Sequence, residues 1–457
     1  MSIFREYDIR GIFEKDLSHE VVYKIGFLLG QKILKTQDKV AIGYDARTHS
    51  PTLFKWLASG LNQSGVQVFD LGLIPTPVAY FTTFKSDIKS SIMITGSHNP
   101  PQYNGFKITI NQAPFYGKDI QNLSHEMNSV KFIDESAETT KLDMLSEYVK
   151  FISDEFSALK GWSEPIAFDC GNGVAGVAMD RILQNLQLNA TKLYFEPDGT
   201  FPNHHPDPSE HENLDDLKKT MKEKGIKVGI AFDGDADRVA LLSPNHIFKG
   251  DELAILFAQD IAKKVKDLVV IGEVKCSQIM YDTIDKIGRA VMYKTGHSNL
   301  KVKLKELKAH LACEMSGHIF FNDRYFGYDD AIYAAFRILE LIKSQESGIA
   351  ALESVIKTLP KTYSTDEEKI KTTEDRKFAL IESLKKKLED YVKEQGANSV
   401  PHIKKIIDID GVRVIFDNGW GLVRASNTTP MLVTRFEAYS KDDLATYKTF
   451  LLNLLED

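Results

Sequence analysis

Cysteine is scarce in this chain of 457 residues, limited to Cys170, Cys276 and Cys313. Three cysteines so far apart cannot form a disulfide framework, and their spacing matches no zinc site. That scarcity favours a reducing, cytoplasmic location. Long hydrophobic runs are also missing. None approaches the roughly 18 residues of a membrane-spanning helix. Arg5, Glu6, Asp8 and Arg10 interrupt the stretch where a secretory signal would need its apolar core. The expectation is a protein neither exported by that route nor placed in a membrane. Nor is there a basic run. Lys and Arg number 57 against 64 Asp and Glu, a net charge of −7, which argues against a nucleic-acid partner.

What is present is the balance of an ordinary folded protein, with 43% apolar and 26% charged residues. At roughly 100–200 residues per domain, the length implies about three domains rather than one enlarged core. Up to residue 150, β-type runs (Lys39–Tyr44, Val66–Leu71, Ser91–Thr95, Gly105–Ile110) alternate with helical stretches (Glu20–Lys35, Thr52–Ser64), which predicts an α/β layer architecture. A helix-like stretch over 141–159 leads to a boundary near Gly161. The pattern restarts at Ile166–Cys170 and again after Lys249. Past Pro360 a Lys/Glu-rich helix is followed by strands Ile406–Ile409, Val412–Phe416, Gly421–Ala425 and Thr434–Tyr439. The expected units are 1–150, 151–248, 249–362 and, with a different α+β character, 363–457.

The strongest local signal is Asp233-Gly-Asp-Ala-Asp237-Arg238, directly after the apolar run Val228–Phe232. Alternate side chains of an extended segment point the same way, so three carboxylates converge on one ion. Hard oxygens at a strand end suit Mg²⁺, which shares phosphate oxygens and water as further ligands. An EF-hand loop is excluded, because its sixth position would be Arg238 and its twelfth Pro244. Three further segments sit at apparent strand ends. Thr95-Gly-Ser-His-Asn-Pro100 offers a hydroxyl on a Gly/Pro-bounded loop, without the G-x-S-x-G elbow of a hydrolase. In Cys313-Glu-Met-Ser-Gly-His318, Glu314, Ser316 and His318 alternate, a set suited to the vicinal hydroxyls of a sugar. Arg424-Ala-Ser-Asn-Thr-Thr-Pro430 combines a guanidinium fork with small polar side chains and loop N–H groups, a phosphate cradle. Two motifs read as structural. Gly171-Asn-Gly173-Val-Ala-Gly176 matches G-x-G-x-x-G but reads as a tight strand-to-helix turn. His204, His205 and His211 fall in a Pro-rich segment that reads as a rigid loop rather than a metal site.

Taken together, these segments resemble the α-D-phosphohexomutase family, most closely its phosphomannomutase/phosphoglucomutase branch. The resemblance extends to Tyr7-Asp-Ile-Arg-Gly11, Gly43-Tyr-Asp-Ala-Arg47, Asn104-Gly-Phe-Lys107, Phe201-Pro-Asn-His204, Lys275 and Thr295-Gly-His-Ser298. It implies three related α/β domains, mixed sheets sandwiched by helices, and a C-terminal α+β domain around a central cleft. It implies that Ser97 is the phosphoserine and joins Asp233, Asp235 and Asp237 at Mg²⁺. Arg10 and Lys107 would flank Ser97, with Lys107 and His318 as candidate acid/base groups and Arg238 beside the metal loop. Tyr7, Lys275, His297, Glu314, Ser316 and His318, with Arg424, Ser426, Asn427 and Thr428, would contact substrate. Met315 between Glu314 and Ser316 is similar to the glucose/mannose branch, and Cys313 stands where Gly is more usual.

The implied activity interconverts hexose 1-phosphate and hexose 6-phosphate through phosphorylated Ser97, with hexose 1,6-bisphosphate as intermediate and activator. The implied partners are small sugar phosphates, with neither nucleic acid nor membrane, and the protein is expected as a monomer or homodimer. Two other readings stand beside it: a Mg²⁺-dependent phosphatase with Asp233 as nucleophile, and a non-catalytic sugar-phosphate-binding relative. The first lacks the usual D-x-D-x-[TV] pattern at Asp233. The second would be signalled by loss of Ser97 or an aspartate, and none is lost.

Overall fold

In the first sheet both faces are apolar, and the alternation of strand side chains explains it. Val40 and Ile42 point into one buried cluster and Ala41 into another; Ile92 and Ile94 likewise oppose Met93. Helices His19–Ile33 and Ser50–Gln63 cover one face, and helix Thr76–Lys85 covers the other. A computed structural model describes residues 3–396, 399–427 and 429–456. Its first sheet runs in the order Ile9–Ile12, Tyr103–Ile110, Ser91–Ile94, Lys39–Tyr44, Gln67–Leu73, Thr139–Lys141. The strands are parallel from Ser91–Ile94 onward, and Tyr103–Ile110 runs antiparallel to its neighbours.

The second sheet orders Ile247–Phe248, Val239–Leu242, Val228–Phe232, Ile166–Asp169 and Ala190–Leu193. The third orders Arg289–Tyr293, Val269–Glu273, Leu311–Cys313 and Ile319–Phe321. Each again combines parallel strands with an antiparallel hairpin partner, and helices lie on both faces. The C-terminal sheet is antiparallel throughout, with helices Glu374–Glu394 and Lys441–Glu456 packed in its core. One apolar cluster runs from Ala41 through Phe168 and Phe232 to Tyr333, so the three α/β units share a continuous core. The C-terminal unit has its own.

Several boundaries differ from the sequence reading. Lys141 lies in a strand paired with Gln67–Leu73, and Asp143 then caps helix Met144–Glu155 by accepting from Ser146 N at 2.9 Å. Residue 150 therefore falls inside a helix. The strand expected at Ile406–Ile409 is Ile403–Ile407. Among the described residues, no helix is long and apolar enough to cross a membrane.

Gly171 adopts φ +52°, a Cβ on Gly173 would lie 2.6 Å from Gly234 O, and one on Gly176 would overlap Phe195 O. These glycines serve a tight turn and close packing, Gly173 against the aspartate loop and Gly176 against Phe195, as the turn reading anticipated. A similar approach joins helices His19–Ile33 and Ser50–Gln63, where a Cβ on Gly60 would overlap Tyr23 O. Gly60→Ala should therefore destabilise the protein by about 1–3 kcal/mol, read as a lower melting temperature. Gly396→Ala, with open space around it, should leave the melting temperature unchanged. Equal melting temperatures for the two variants would contradict this packing.

Candidate active site

Ser97 follows strand Ser91–Ile94, on the loop that turns into Tyr103–Ile110. Its backbone sits at φ +48°, a conformation that costs roughly 1–3 kcal/mol and persists only when neighbours hold it. Two residues after strand Lys39–Tyr44 do so. Asp45 accepts from Thr95 Oγ1 (2.8 Å) and Gly96 N (3.0 Å). Arg47, fully buried, donates to the carbonyls of Ser97, Asn99, Pro100 and Tyr103 at 2.5–2.9 Å. Arg10 adds bonds to Gly96 O (2.5 Å) and Asn99 Oδ1 (2.8 Å) while paired with Asp8.

Ser97 Oγ donates to Asp233 Oδ2 at 2.9 Å and lies 3.1 Å from His98 Nδ1. Asp233, Asp235 and Asp237 are all 0% exposed, and an oxygen from each lies within 4.8 Å of the others. Asp233 Oδ1 accepts from Asp237 N and Arg238 N at 3.0 Å, and Asp235 Oδ2 accepts from Thr76 Oγ1 at 2.6 Å. Asp235 Oδ1 and Asp237 Oδ1 have no hydrogen-bond partner. Lys107 Nζ pairs with Asp235 (2.8 Å) and with Asp237. Burial and the two neighbouring carboxylates push Asp233 well up. Against the same burial, Lys107 pulls Asp235 down, and Asp235 and Asp237 in turn hold Lys107 well above an ordinary lysine. Lys107 is thereby kept as an ammonium, a proton donor and charge partner rather than a ready base.

Glu314, Ser316 and His318 lie in the turn between antiparallel strands Leu311–Cys313 and Ile319–Phe321. Cys313 ends its strand fully buried, with its thiol 3.6 Å from Met280 Sδ, so this position has no need of glycine. Glu314 Oε1 accepts from Gly296 N at 2.8 Å and Oε2 faces Ser316 Oγ at 3.4 Å. Arg238 Nε donates to His318 Nε2 at 2.9 Å, which leaves the ring proton on Nδ1, 3.2 Å from Asp329 and 3.6 Å from Asp237. Although burial opposes it, Asp237 and Asp329 raise His318 above an ordinary imidazole. His297 stacks beside it and is pushed well down by burial and by Lys301.

The fourth loop joins Gly419–Ala425 to Met431–Ala438. Arg424 Nε donates to Asp410 Oδ2 at 3.0 Å, and that oxygen also accepts from Thr295 N at 3.1 Å. Asn427 Nδ2 reaches Tyr7 OH, which itself donates to Thr295 O at 2.7 Å. Lys275 Nζ lies 2.7 Å from Glu367 and 3.5 Å from Glu273. Burial, opposed by Lys275, pushes Glu273 up to about 7.

One cleft of about 960 Å³ is lined by Tyr7, Arg10, Ser97, Lys107 and Arg238, a size suited to a small ligand. Lys275, His297, Glu314, Ser316, His318, Arg424, Ser426 and Asn427 complete its lining. The three aspartates lie beneath it, and Thr428 lies outside the described residues. His204 bonds Asp169 and the carbonyl of His205, and the possible metal clusters among the described residues include none of His204, His205 and His211. Sequence reasoning missed Asp45, Asp329, Asp410, Glu273 and Glu367. Each acts by holding another residue of the site, through its side chain or its main chain, and only Asp45, inside a quoted motif, left a local signal.

The family models for phosphoglucomutase/phosphomannomutase match most of the chain in order: α/β/α domain I over residues 1–134, domain II over 146–246, domain III over 249–363 and the C-terminal domain over 367–454. A phosphomannomutase/phosphoglucomutase of Pseudomonas aeruginosa is 42% identical over 100% of this chain and 96% of its own length. A phosphoglucomutase of Neisseria meningitidis is 39% identical over 95% of this chain and 93% of its own. The crystal structure of a phosphoglucomutase/phosphomannomutase family protein from Burkholderia thailandensis superposes with a TM-score of 0.88. It is 36% identical and covers 99% of this chain and 97% of that one. The fold, the four loops meeting at one cleft and these likenesses agree, and this chain belongs to the phosphoglucomutase/phosphomannomutase family.

Proposed function

We propose that the cleft interconverts hexose 1-phosphate and hexose 6-phosphate, of mannose and/or glucose, through phosphorylated Ser97 and a hexose 1,6-bisphosphate. The observation that carries this reading is the placement of Ser97 Oγ, 2.9 Å from Asp233 Oδ2, in the same cleft as Lys107 and the Arg424 loop. The Arg424 loop suits the phosphate that does not react, Glu314 and Ser316 suit the sugar hydroxyls, and Arg10 and Lys107 face the reacting phosphoryl group. The bond from Ser97 Oγ to phosphorus breaks as one forms to the 6-hydroxyl, and the hydroxyl proton passes to a base. His318 Nε2, once released by Arg238, has the free lone pair and the raised proton affinity for that task. The bisphosphate then reverses in the cleft and returns its 1-phosphoryl group to Ser97.

Asp233, Asp235 and Asp237 with Ser97 form a donor set that fits Mg²⁺: hard oxygens, wholly buried, two of them without a partner. When bound, Mg²⁺ stabilises negative charge on the phosphoryl oxygens as a Lewis acid. The aspartyl-phosphatase reading is not favoured. Asp233 is engaged by Ser97 Oγ and two backbone N–H groups, and a nucleophilic Asp233 would leave the Ser97, Glu314 and Arg424 loops of the same cleft without a role.

Two measurements test this. The peptide containing Ser97 should gain one phosphoryl group from glucose 1,6-bisphosphate, and Ser97→Ala should lose roughly a thousandfold or more in mutase rate. Full activity in Ser97→Ala would end the proposal. By calorimetry, Asp235→Asn should weaken Mg²⁺ binding tenfold or more, about 1.4 kcal/mol. Lys107→Met should strengthen it, because it removes a cation from Asp235 and Asp237. Weaker Mg²⁺ binding in Lys107→Met would show that the lysine does not compete for those oxygens.

A further inference from the structure

Lys275 lies in a stretch, 274–278, whose main chain is gripped by the C-terminal domain. Arg413 on strand Val412–Phe416 is 0% exposed and stacks 3.7 Å from the Trp420 ring centroid. Its Nη1 donates to the carbonyls of Val274 (2.5 Å) and Cys276 (2.8 Å), and its Nη2 to Gln278 Oε1 (3.1 Å). Arg435 donates to the carbonyl between them, that of Lys275. Glu437 Oε1 accepts from Ser277 Oγ (2.9 Å), Gln278 N (3.3 Å) and Trp420 Nε1 (2.9 Å). Two buried guanidiniums thus take three consecutive carbonyls. Arg413 Nε has no hydrogen-bond partner, so its buried charge is satisfied through Nη1 and Nη2 alone, and those directed bonds hold the stretch in one place.

The grip continues inward. Glu273 Oε1 lies 3.5 Å from Lys275 Nζ and accepts from Met315 N at 3.0 Å, inside the sugar loop. The apolar part of the same seam is the small cluster of Val274, Trp420 and Leu422. Apolar contact has no direction, whereas the guanidinium bonds have one.

We propose that Arg413 and Glu273 are positioning residues for the sugar loop: Arg413 seats the 274–278 stretch on the C-terminal domain, and Glu273 passes that placement to Met315. The placement of the sugar loop is then coupled to that of the C-terminal domain. A substrate that must touch both loops in either orientation depends on that coupling when the loops meet on it, since an error of about 1 Å in placing reacting groups costs on the order of a hundredfold. This role rests on the mutase reading above; the mechanical link from Arg413 to Met315 does not.

The test uses Arg413→Met, Glu273→Gln and the double variant of the full chain. Amide exchange in the peptide containing Met315 should quicken at least tenfold in Arg413→Met, although Arg413 does not touch that loop, while the Asp233–Asp237 peptide is unchanged. Affinity for glucose 1-phosphate, by calorimetry, should fall tenfold or more, and affinity for inorganic phosphate less than twofold. The double variant should be no worse than the poorer single one. Unchanged exchange at Met315, parallel losses for both ligands, or additive effects would each overturn the link. If Arg413→Met does not fold, Glu273→Gln decides, since it keeps the shape and removes the charge beside Lys275. Exchange at Met315 should then quicken several-fold. A wild-type protein that fails to bind glucose 1-phosphate would overturn the mutase reading instead, and the exchange result would still decide the link.

Discussion

Asp233, Asp235 and Asp237 lie wholly buried with oxygens within 4.8 Å of one another. A protein interior holds such a set only if cations and donors stand around it. Those partners come largely from another domain. Ser97 donates to Asp233, Thr76 to Asp235, and Lys107 spans Asp235 and Asp237. The first domain must therefore seat against the second to within hydrogen-bond distance. The apolar cluster that runs unbroken through the three α/β units supplies that rigidity, and the strained Ser97 backbone is held in place by Arg47 and Asp45.

The four chemical loops occupy one kind of place. Each is the turn of an antiparallel hairpin: Ile94 opposite Phe106, Phe232 opposite Val239, Cys313 opposite Ile319, Ala425 opposite Leu432. A hairpin turn is tied down at both ends by its ladder, so a side chain on it is placed more closely than one on a long crossover. In the three α/β units the first strand of each hairpin also lies in the parallel part of the sheet. All three turns thus leave from strand carboxyl ends, where open α/β sheets bind ligands.

The strand ends and the residues on them were legible because apolar runs stop abruptly at Ile94, Phe232 and Cys313 and polar, Gly-bearing segments begin. The hairpin partners were harder to read, since a short strand such as Ile319–Phe321 has no period long enough to distinguish it. The edge strand before the helix that holds residue 150 was hard to read for a similar reason. Thr139–Lys141 is three exposed residues paired at a sheet edge, and nothing in their hydrophobicity separates them from the helix that follows. Supporting carboxylates were invisible on other grounds. Asp329 touches His318, Lys301 and His297 from eleven or more residues away, and Asp410 meets Arg424 across a strand pair. Such contacts exist only after folding.

The net charge of −7 sits oddly with an anionic substrate until the cations of the cleft are considered one by one. Four of them already have a carboxylate: Arg10 has Asp8, Lys107 has Asp235 and Asp237, Lys275 has Glu273 and Glu367, Arg424 has Asp410. The two residue types answer an arriving phosphate differently. A guanidinium has five donors in a planar fork, so Arg424 can keep Nε and Nη2 toward Asp410 and still present Nη1. Arg10 similarly stays anchored to Asp8 through Nη2. An ammonium is a point charge, so Lys107 and Lys275 must divide themselves between the carboxylates and the ligand. On the mutase proposal, Arg424 suits a phosphate that is held without moving and Arg10 an anchored contact at the Ser97 loop, while Lys107 suits the place where charge has to be handed from carboxylate to phosphoryl group and back.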